Sequence, residues 1–361
     1  MSNEHKMKKT LYIADLRSHC VNGISTGHFF PIAAMYQLLF DNSCDVVVAG
    51  GPVYKKRFKD ENLLLLPYNV CGTSLKDKWH IMKNAIKLFR EAKNQTIVIQ
   101  QGSVVTVLIA IALLYRRTSN LFMIQYSNEG VRSFFKRIIY YFAKNKIDGM
   151  ICPNDEVGKA YGIPYCVVPD YIYTGSQEFD LIESKQQYLY DFCMVGRIAE
   201  EKGFVDVAKF FAKTKYMIVI AGKTQNAELE SKLRLVCEGA SNIKLHIGYV
   251  SDEEYKNYLE SSKYTILNYQ GEYSRRSSGV VYDTLFAGVP VIGRKCTALD
   301  FIEDNKVGFL YTDLNDLNEG CLNKLMDGEC LNRFKKNIEN YKKIHVQYKK
   351  KICQFVLDKK S

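Results

Sequence analysis

Two stretches of the chain hold residues whose types and spacing suit phosphate chemistry. In Met194–Phe204 ("MVGRIAEEKGF"), Gly196 permits a tight turn, Arg197 presents a planar fork of donors, and Lys202 adds a second cation just before a helix start at Gly203. Two cations five residues apart in a strand-to-helix loop suit a diphosphate. The plainer reading is a solvated loop in which Arg197 pairs with Glu200 or Glu201. In Tyr273–Ile292 ("YSRRSSGVVYDTLFAGVPVI"), the turn Ser277-Ser278-Gly279 opens a helix whose first backbone N–H groups can receive an anion. Asp283, one turn later, is placed to accept from ribose hydroxyls. The alternative is a capped helix, with Ser277 or Ser278 as the cap and Asp283 favouring the dipole. A third loop, Val21–Ala34 ("VNGISTGHFFPIAA"), carries Gly23, Gly27 and His28 but neither G-x-G-x-x-G nor a Walker lysine. His28 at a helix start serves equally as a cap neighbour. A fourth, Ile124–Arg132 ("IQYSNEGVR"), ends a strand with Asn128, Glu129 and Gly130, and Glu129 has Arg132 as a nearby partner.

The elements that must position these loops alternate along the chain. In the first half, strands are expected at Leu11–Asp15, Asp45–Ala49, Leu63–Leu66, Thr96–Gln100 and Leu121–Gln125. Helices are expected at about His28–Phe40, Trp79–Ala92, Val104–Leu114 and Arg132–Ala143. After a weakly periodic linker, Pro169 to about Ser184, a second series begins. Its strands are Asp191–Val195, Met217–Ala221, Ile243–His246, Tyr264–Leu267 and Val289–Ile292; its helices are Gly203–Ala212, Ala227–Cys237, Asp252–Glu260 and Gly279–Ala287. Buried strands separated by helices of this length imply parallel, doubly wound sheets. The chain therefore reads as two Rossmann-like α/β domains, 1–170 and 171–331, facing a cleft, with a basic helical tail at 332–361.

Composition bounds the function. The 361 residues are 47% hydrophobic and 25% charged, which excludes disorder, collagen and coiled coil as descriptions of the whole. Fifty Lys and Arg against 39 Asp and Glu leave a net +11, which invites an anionic partner. Residues 1–170 carry +9, 171–331 carry −6 and 332–361 carry +8. The eleven cysteines form no C-x-x-C pair, which fits free thiols in a reducing cytosol. No secretory leader is expected, and the longest uncharged apolar run, Val104–Tyr115, is too short to span a bilayer. Arg132–Lys146 ("RSFFKRIIYYFAKNK") mixes aromatic and basic residues. It reads either as a helix packed on the sheet with a basic outer face or as a surface for anionic lipid. No RRM, KH or helix-turn-helix pattern accompanies it, so nucleic acid is the weaker partner.

Taken together, "VGRIAEEKG", "IVIAGKTQN", "NIKLHIGYVSDEEYKNYLESSKYTILNY", "SSGVVYDTLFAGVPVI" and "EDNKVGFLY" resemble the retaining glycosyltransferases of the GT-B fold, family 4. The resemblance implies that Arg197 and Lys202 bind the donor diphosphate and that Gly196, Gly222 and Lys223 line the nucleotide. It implies that Tyr249 and Val250 read the base and that Ser278 and Gly279, with Ser277 before them a further donor-binding candidate, lie at the turn beneath the phosphates. Asp283 falls on the second acidic position of the family's E-x7-E motif and would hold the ribose. Gly23, Gly27 and His28 match the loop that closes over the donor, and the resemblance implies that the basic tail 332–361 crosses back to the first domain. The chain departs from the family at two places: Arg275 stands where the sugar-contacting glutamate is usual, and Asn128 or Glu129 stands near the usual cleft histidine.

The expected activity is transfer of a sugar from a nucleotide-sugar donor to an acceptor hydroxyl on a glycan or lipid-linked acceptor, with retention. Arg197, Lys202, Glu129 and Arg275 are the candidate catalytic residues. No D-x-D tripeptide occurs, so neither a metal nor another cofactor is expected; fixed cations would stabilise the leaving diphosphate instead. The expected place is the cytoplasm, at or near the inner face of the membrane. The competing readings are a non-catalytic transferase-like partner subunit, motivated by Arg275, and a nucleotide-sugar epimerase, which would need cleft carboxylates or histidines not evident here.

Overall fold

The computed structural model describes residues 10–21, 24–25, 29–40, 43–174, 188–224, 226–275 and 278–358. The chain divides into two compact units, 1–174 with 345–361, and 175–344.

In the first unit the strands are β1 (Thr10–Ala14), β2 (Cys20–Val21), β3 (Ile24–Ser25), β4 (Asp45–Gly50), β5 (Leu63–Leu65), β6 (Thr96–Gln100), β7 (Asn120–Ile124), β8 (Gly149–Cys152) and β9 (Tyr165–Val167). Seven of them form one parallel sheet in the order β5-β4-β1-β6-β7-β8-β9, while β2 and β3 make a small antiparallel pair. In register, Ile13 lies beside Val48 on one side and Val98 on the other, and these three side chains are fully buried. Burial on both faces explains the unbroken apolar runs in the sequence. The helices Leu75–Glu91, Val105–Leu114 and Phe134–Lys144 cover one face, where Leu88, Ile111 and Ala143 share a core with Ile97 and Met123.

The second unit adds β10 (Tyr190–Val195), β11 (Ile218–Gly222), β12 (Ile243–Ile247), β13 (Ser262–Leu267), β14 (Val291–Arg294) and β15 (Gly308–Tyr311). They form a parallel sheet in the order β12-β11-β10-β13-β14-β15. Both sheets reverse their winding at one point, between β1 and β6 in the first and between β10 and β13 in the second. The connections leave such a point in opposite directions, so a crevice opens at the carboxyl ends of those strands. The fold is thus the pair of Rossmann-like sheets of the GT-B class, as expected.

Several boundaries differ from the sequence reading. The expected helix Arg132–Ala143 is two helices, Glu129–Arg132 and Phe134–Lys144, because Ser133 is extended (φ −95°, ψ 152°) and its side chain caps Lys136 N–H. The helix expected from Trp79 starts at Leu75, where Ser74 and Asp77 form a capping box. Strands β8, β9 and β15 and the helix Asp155–Tyr161 were not expected. The first unit ends at Thr174 rather than 170, since Ile172 is fully buried and the Tyr173 N–H donates to His345 Nδ1 at 3.1 Å. The tail divides as well: one helix, Gly328–Leu357, contributes residues up to Ile344 to the second unit and residues from His345 to the first.

Candidate functional site

At the carboxyl edge of the second sheet, the loop after β10 is tied down by its neighbours. Gly196 N–H donates to the Ala221 carbonyl, Ile198 N–H to that of Lys223, and Gly248 N–H to that of Gly222. The approach is so close that a Cβ on Gly222 would lie 1.8 Å from the Gly196 carbonyl oxygen. Gly203 ends the loop in the left-handed region (φ 68°), and a Cβ there would lie 2.4 Å from Asn268 Nδ2. Glycine is required at both positions on steric grounds.

This turn buries Lys202 (5% exposed) while leaving Arg197 in solvent, where it meets Glu201 at 3.4 Å. Burial, with the Arg197 charge beside it, lowers the Lys202 ammonium to a pKa of about 8. Its Nζ lies 5.0 Å from the centre of the Tyr273 ring. A Cβ built on Gly196 would meet this Nζ at 3.7 Å and the Val280 side chain at 3.2 Å. The ammonium and the first turn of the helix Gly279–Phe286 therefore flank the same glycine.

Ser278, the N-cap residue of that helix, makes no side-chain cap hydrogen bond. The Ser278 hydroxyl is hydrogen-bonded to the Tyr269 hydroxyl at 2.6 Å instead, and Tyr269 packs edge-on to Tyr273 at 4.9 Å. The capped-helix reading fails for Ser278, and its helix end keeps backbone N–H groups for an anion. Asp283, half-buried, accepts a hydrogen bond from the Tyr255 hydroxyl at 3.1 Å. Burial raises its carboxyl to about 6, against the lowering effect of that bond. Val250 and Val280 pack in the cluster that contains Tyr255, whereas Tyr249 is 78% exposed and Lys223 is exposed.

The edge thus brings together Gly196, Lys202, Gly222, Ser278, Gly279 and Asp283, with Arg197, Lys223, Tyr249 and Val250 around them. Arg275 ends the short helical turn Gly271–Arg275 that carries Tyr273 to Lys202; its side chain lies outside the described residues, as do Gly23, Gly27, His28 and Ser277. The sequence reading missed Tyr255, Tyr269 and Tyr273. The aromatic residues in "YKNYLE" and "NYQGEY" were the available signal, but nothing in their spacing says which of them turn toward a cation or a carboxylate. A larger hollow in this unit, about 720 Å³ between Asp206, Lys213, Arg294 and Asn318, includes none of the expected residues.

The first sheet has its own site at the corresponding edge. A pocket of about 420 Å³ is bordered by Arg17 after β1, Gln101 and Ser103 after β6, and Gln125 and Glu129 after β7, with Lys78 and Lys136 at its rim. Asp15, buried at the end of β1, ties down the loop that carries Arg17. Its carboxylate accepts from Arg17 N–H, Ser18 N–H and the Tyr54 hydroxyl at 2.8–3.0 Å. Ser18 (φ 43°) and Gln101 (φ 48°) both occupy the left-handed region at the winding reversal, a strained choice for residues with side chains. Of the expected residues among those described, only Glu129 borders this pocket. Asp15, Arg17 and Gln101 were missed, although an aspartate closing the strand "LYIAD" marks the place. Among the described residues no group of three His, Cys, Asp or Glu side chains is arranged to hold a metal ion.

Comparison with known proteins finds the same fold elsewhere. Residues 178–341, within the second unit, match the model of the family Glycosyl transferases group 1. Three solved structures share the fold over almost the whole chain. An α,α-trehalose-phosphate synthase (UDP-forming) from Burkholderia xenovorans has a TM-score of 0.67 at 8% identity, covering 96% of this chain and 99% of its own. The pneumococcal O-GlcNAc transferase GtfA, solved with UDP and GlcNAc, has a TM-score of 0.65 at 10% identity, covering 97% and 99%. AviGT4, a glycosyltransferase involved in avilamycin A biosynthesis, has a TM-score of 0.60 at 12% identity, covering 96% and 98%. No curated protein matches the chain by sequence.

Proposed function

We propose that the protein transfers a sugar from a nucleotide-sugar donor to an acceptor hydroxyl. The carrying observation is the shared position of the Lys202 ammonium and the uncapped start of helix Gly279–Phe286 on either side of Gly196, within a glycosyl transferases group 1 domain. A leaving diphosphate seated there meets one buried cation and a row of backbone N–H groups, fixed before the reaction begins. Arg197 then exchanges Glu201 for the diphosphate, and Asp283 takes the ribose hydroxyls. The acceptor is a glycan or a lipid-linked glycan, held by the pocket at the edge of the first sheet, with Glu129 at its border. In this reading transfer retains configuration and needs no metal, since the charges that neutralise the diphosphate belong to the protein. UDP named with neighbours of this fold makes UDP-sugars the first donors to try.

The test is turnover by the purified chain with a panel of nucleotide sugars, with EDTA or with added Mn²⁺. Release of the nucleoside diphosphate in the presence of EDTA is expected. Nucleotide binding without turnover, relieved only by a co-expressed partner, would favour the non-catalytic reading that Arg275 raises. Activity lost in EDTA and restored by Mn²⁺ would overturn the metal-free mechanism.

A further inference from the structure

The helix Phe134–Lys144 has two apolar sides. Tyr140 and Ala143 face the core, as a helix laid on a sheet requires. On the opposite side, Phe134, Phe135, Ile138, Tyr141 and Phe142 are 41–77% exposed. At 100° per residue these five fall within an arc of about 120°, an unbroken stripe. The expected basic outer face is not what the structure shows: Lys136, Arg137 and Lys146 bend back to the carbonyls of Glu129, Val131 and Ala112, and Lys144 lies 5.5 Å from the Tyr141 ring centre.

The stripe belongs to a larger surface. The neighbouring helices of the same layer add Leu75, Trp79 and Ile86 from Leu75–Glu91, and Leu113 from Val105–Leu114. Of the fifteen large apolar side chains that are exposed among the described residues, nine lie on these three helices. A folded protein rarely leaves so many aromatic residues in water on one face. The accompanying charge is one-sided, with thirteen basic and three acidic residues across 75–93, 105–117 and 129–146. Lys76, Lys78 and Arg116 are exposed beside the apolar groups.

We propose that this three-helix face docks on an anionic lipid surface, with Phe134, Phe135, Ile138, Tyr141 and Phe142 entering the interface and the surrounding lysines and arginines meeting lipid phosphates. Aromatic side chains ringed by cations suit a headgroup layer, which is apolar below and negatively charged above. No helix among the described residues is long and apolar enough to cross a membrane, so attachment by these residues is peripheral. The same three helices turn their N-terminal ends toward the pocket of the first unit, through Lys78, Thr106 and Lys136. An acceptor anchored in the bilayer would then reach that pocket without leaving it. This last step rests on the transfer reading; the docking does not.

Vesicle flotation of the full chain tests the docking without any sugar donor. The wild type is expected to float with phosphatidylcholine vesicles containing phosphatidylglycerol, more weakly with phosphatidylcholine alone, and to keep part of its binding at high salt. The triple variant F134S/F135S/F142S changes only exposed side chains and should melt at the wild-type temperature while losing binding about tenfold or more. Reversing charge with Lys76→Glu and Arg116→Glu should abolish the preference for anionic vesicles. Absence of flotation with anionic vesicles, or a triple variant that floats like the wild type, would overturn the proposal. So would a vesicle-free dimer that the triple variant dissolves, since the face would then pair with a second copy.

Discussion

Lys202 and Asp283 are displaced in opposite directions by the same cause, burial at the carboxyl edge of the second sheet. Lys202 is lowered to about 8 and Asp283 is raised to about 6. A diphosphate favours Lys202 protonated and ribose hydroxyls favour Asp283 ionised. The free protein therefore suits its donor between those two values and loses the fit above about 8 and below about 6. The donor kcat/KM should be bell-shaped with limbs near them. Lys202→Met should remove the alkaline limb and lower kcat/KM roughly 100-fold, the size expected for losing one fixed charge donor. Tyr255→Phe deletes the hydrogen bond that holds the Asp283 carboxyl down, so the acid limb should move to higher pH; pH–rate profiles check both. Gly203→Ala must either leave the left-handed region or strike Asn268, and should cost about 1–3 kcal/mol in denaturant unfolding.

At the scale of elements, the helix Gly328–Leu357 fastens the end of the chain to the first unit. Phe355 lies edge-on to Phe122 at 5.4 Å, over the bare surface of Gly149, and Lys351 donates to the Val167 carbonyl. His345, fully buried, accepts from Tyr173 N–H, and burial lowers its imidazole to about 4. Its folded pKa lies below the ordinary 6.5, so the unfolded chain binds the extra proton first. Stability from this site is complete above about 6.5 and is lost as pH falls toward 4, a loss of the order of 3 kcal/mol. Thermal melts across that range should show a steeper acid decline in the wild type than in His345→Gln. Most elements were legible in the sequence, because strands buried on both faces read as apolar runs such as "TIVIQ" and "IVIAG". The losses have local causes. Strands β8 and β9 are short, with β9 at the sheet edge, and Ser133 breaks a helix whose apolar pattern continues across it. The candidate phosphate loops stand out in the sequence because glycine and paired cations are rare together. The tyrosines that hold them were not, because a tyrosine's partner depends on the packing of separate segments.

For the whole molecule, the charge is less unevenly divided than a basic tail joined whole to the first half would make it. The basic tail does not pass intact to the first half: 345–361 joins the first unit with half of the tail's +8, and 332–344 stays with the second. The units then carry +13 and −2. In the proposed function a nearly neutral unit would hold its anionic ligand by a few placed charges and helix N–H groups rather than by a general field, so donor binding should weaken only modestly with salt, whereas the proposed attachment to lipid should weaken strongly. Titrating UDP against salt, beside flotation over the same range, separates the two. The central claim is that the second unit grips a nucleoside diphosphate at Gly196, Lys202 and the start of helix Gly279–Phe286. Calorimetric titration of UDP, GDP, ADP and TDP into the wild type and Lys202→Met tests it most directly. One nucleotide should bind well to the wild type near neutral pH, and its affinity should fall at least about tenfold in the variant. No binding by any of the four, or equal binding by both proteins, would contradict the account.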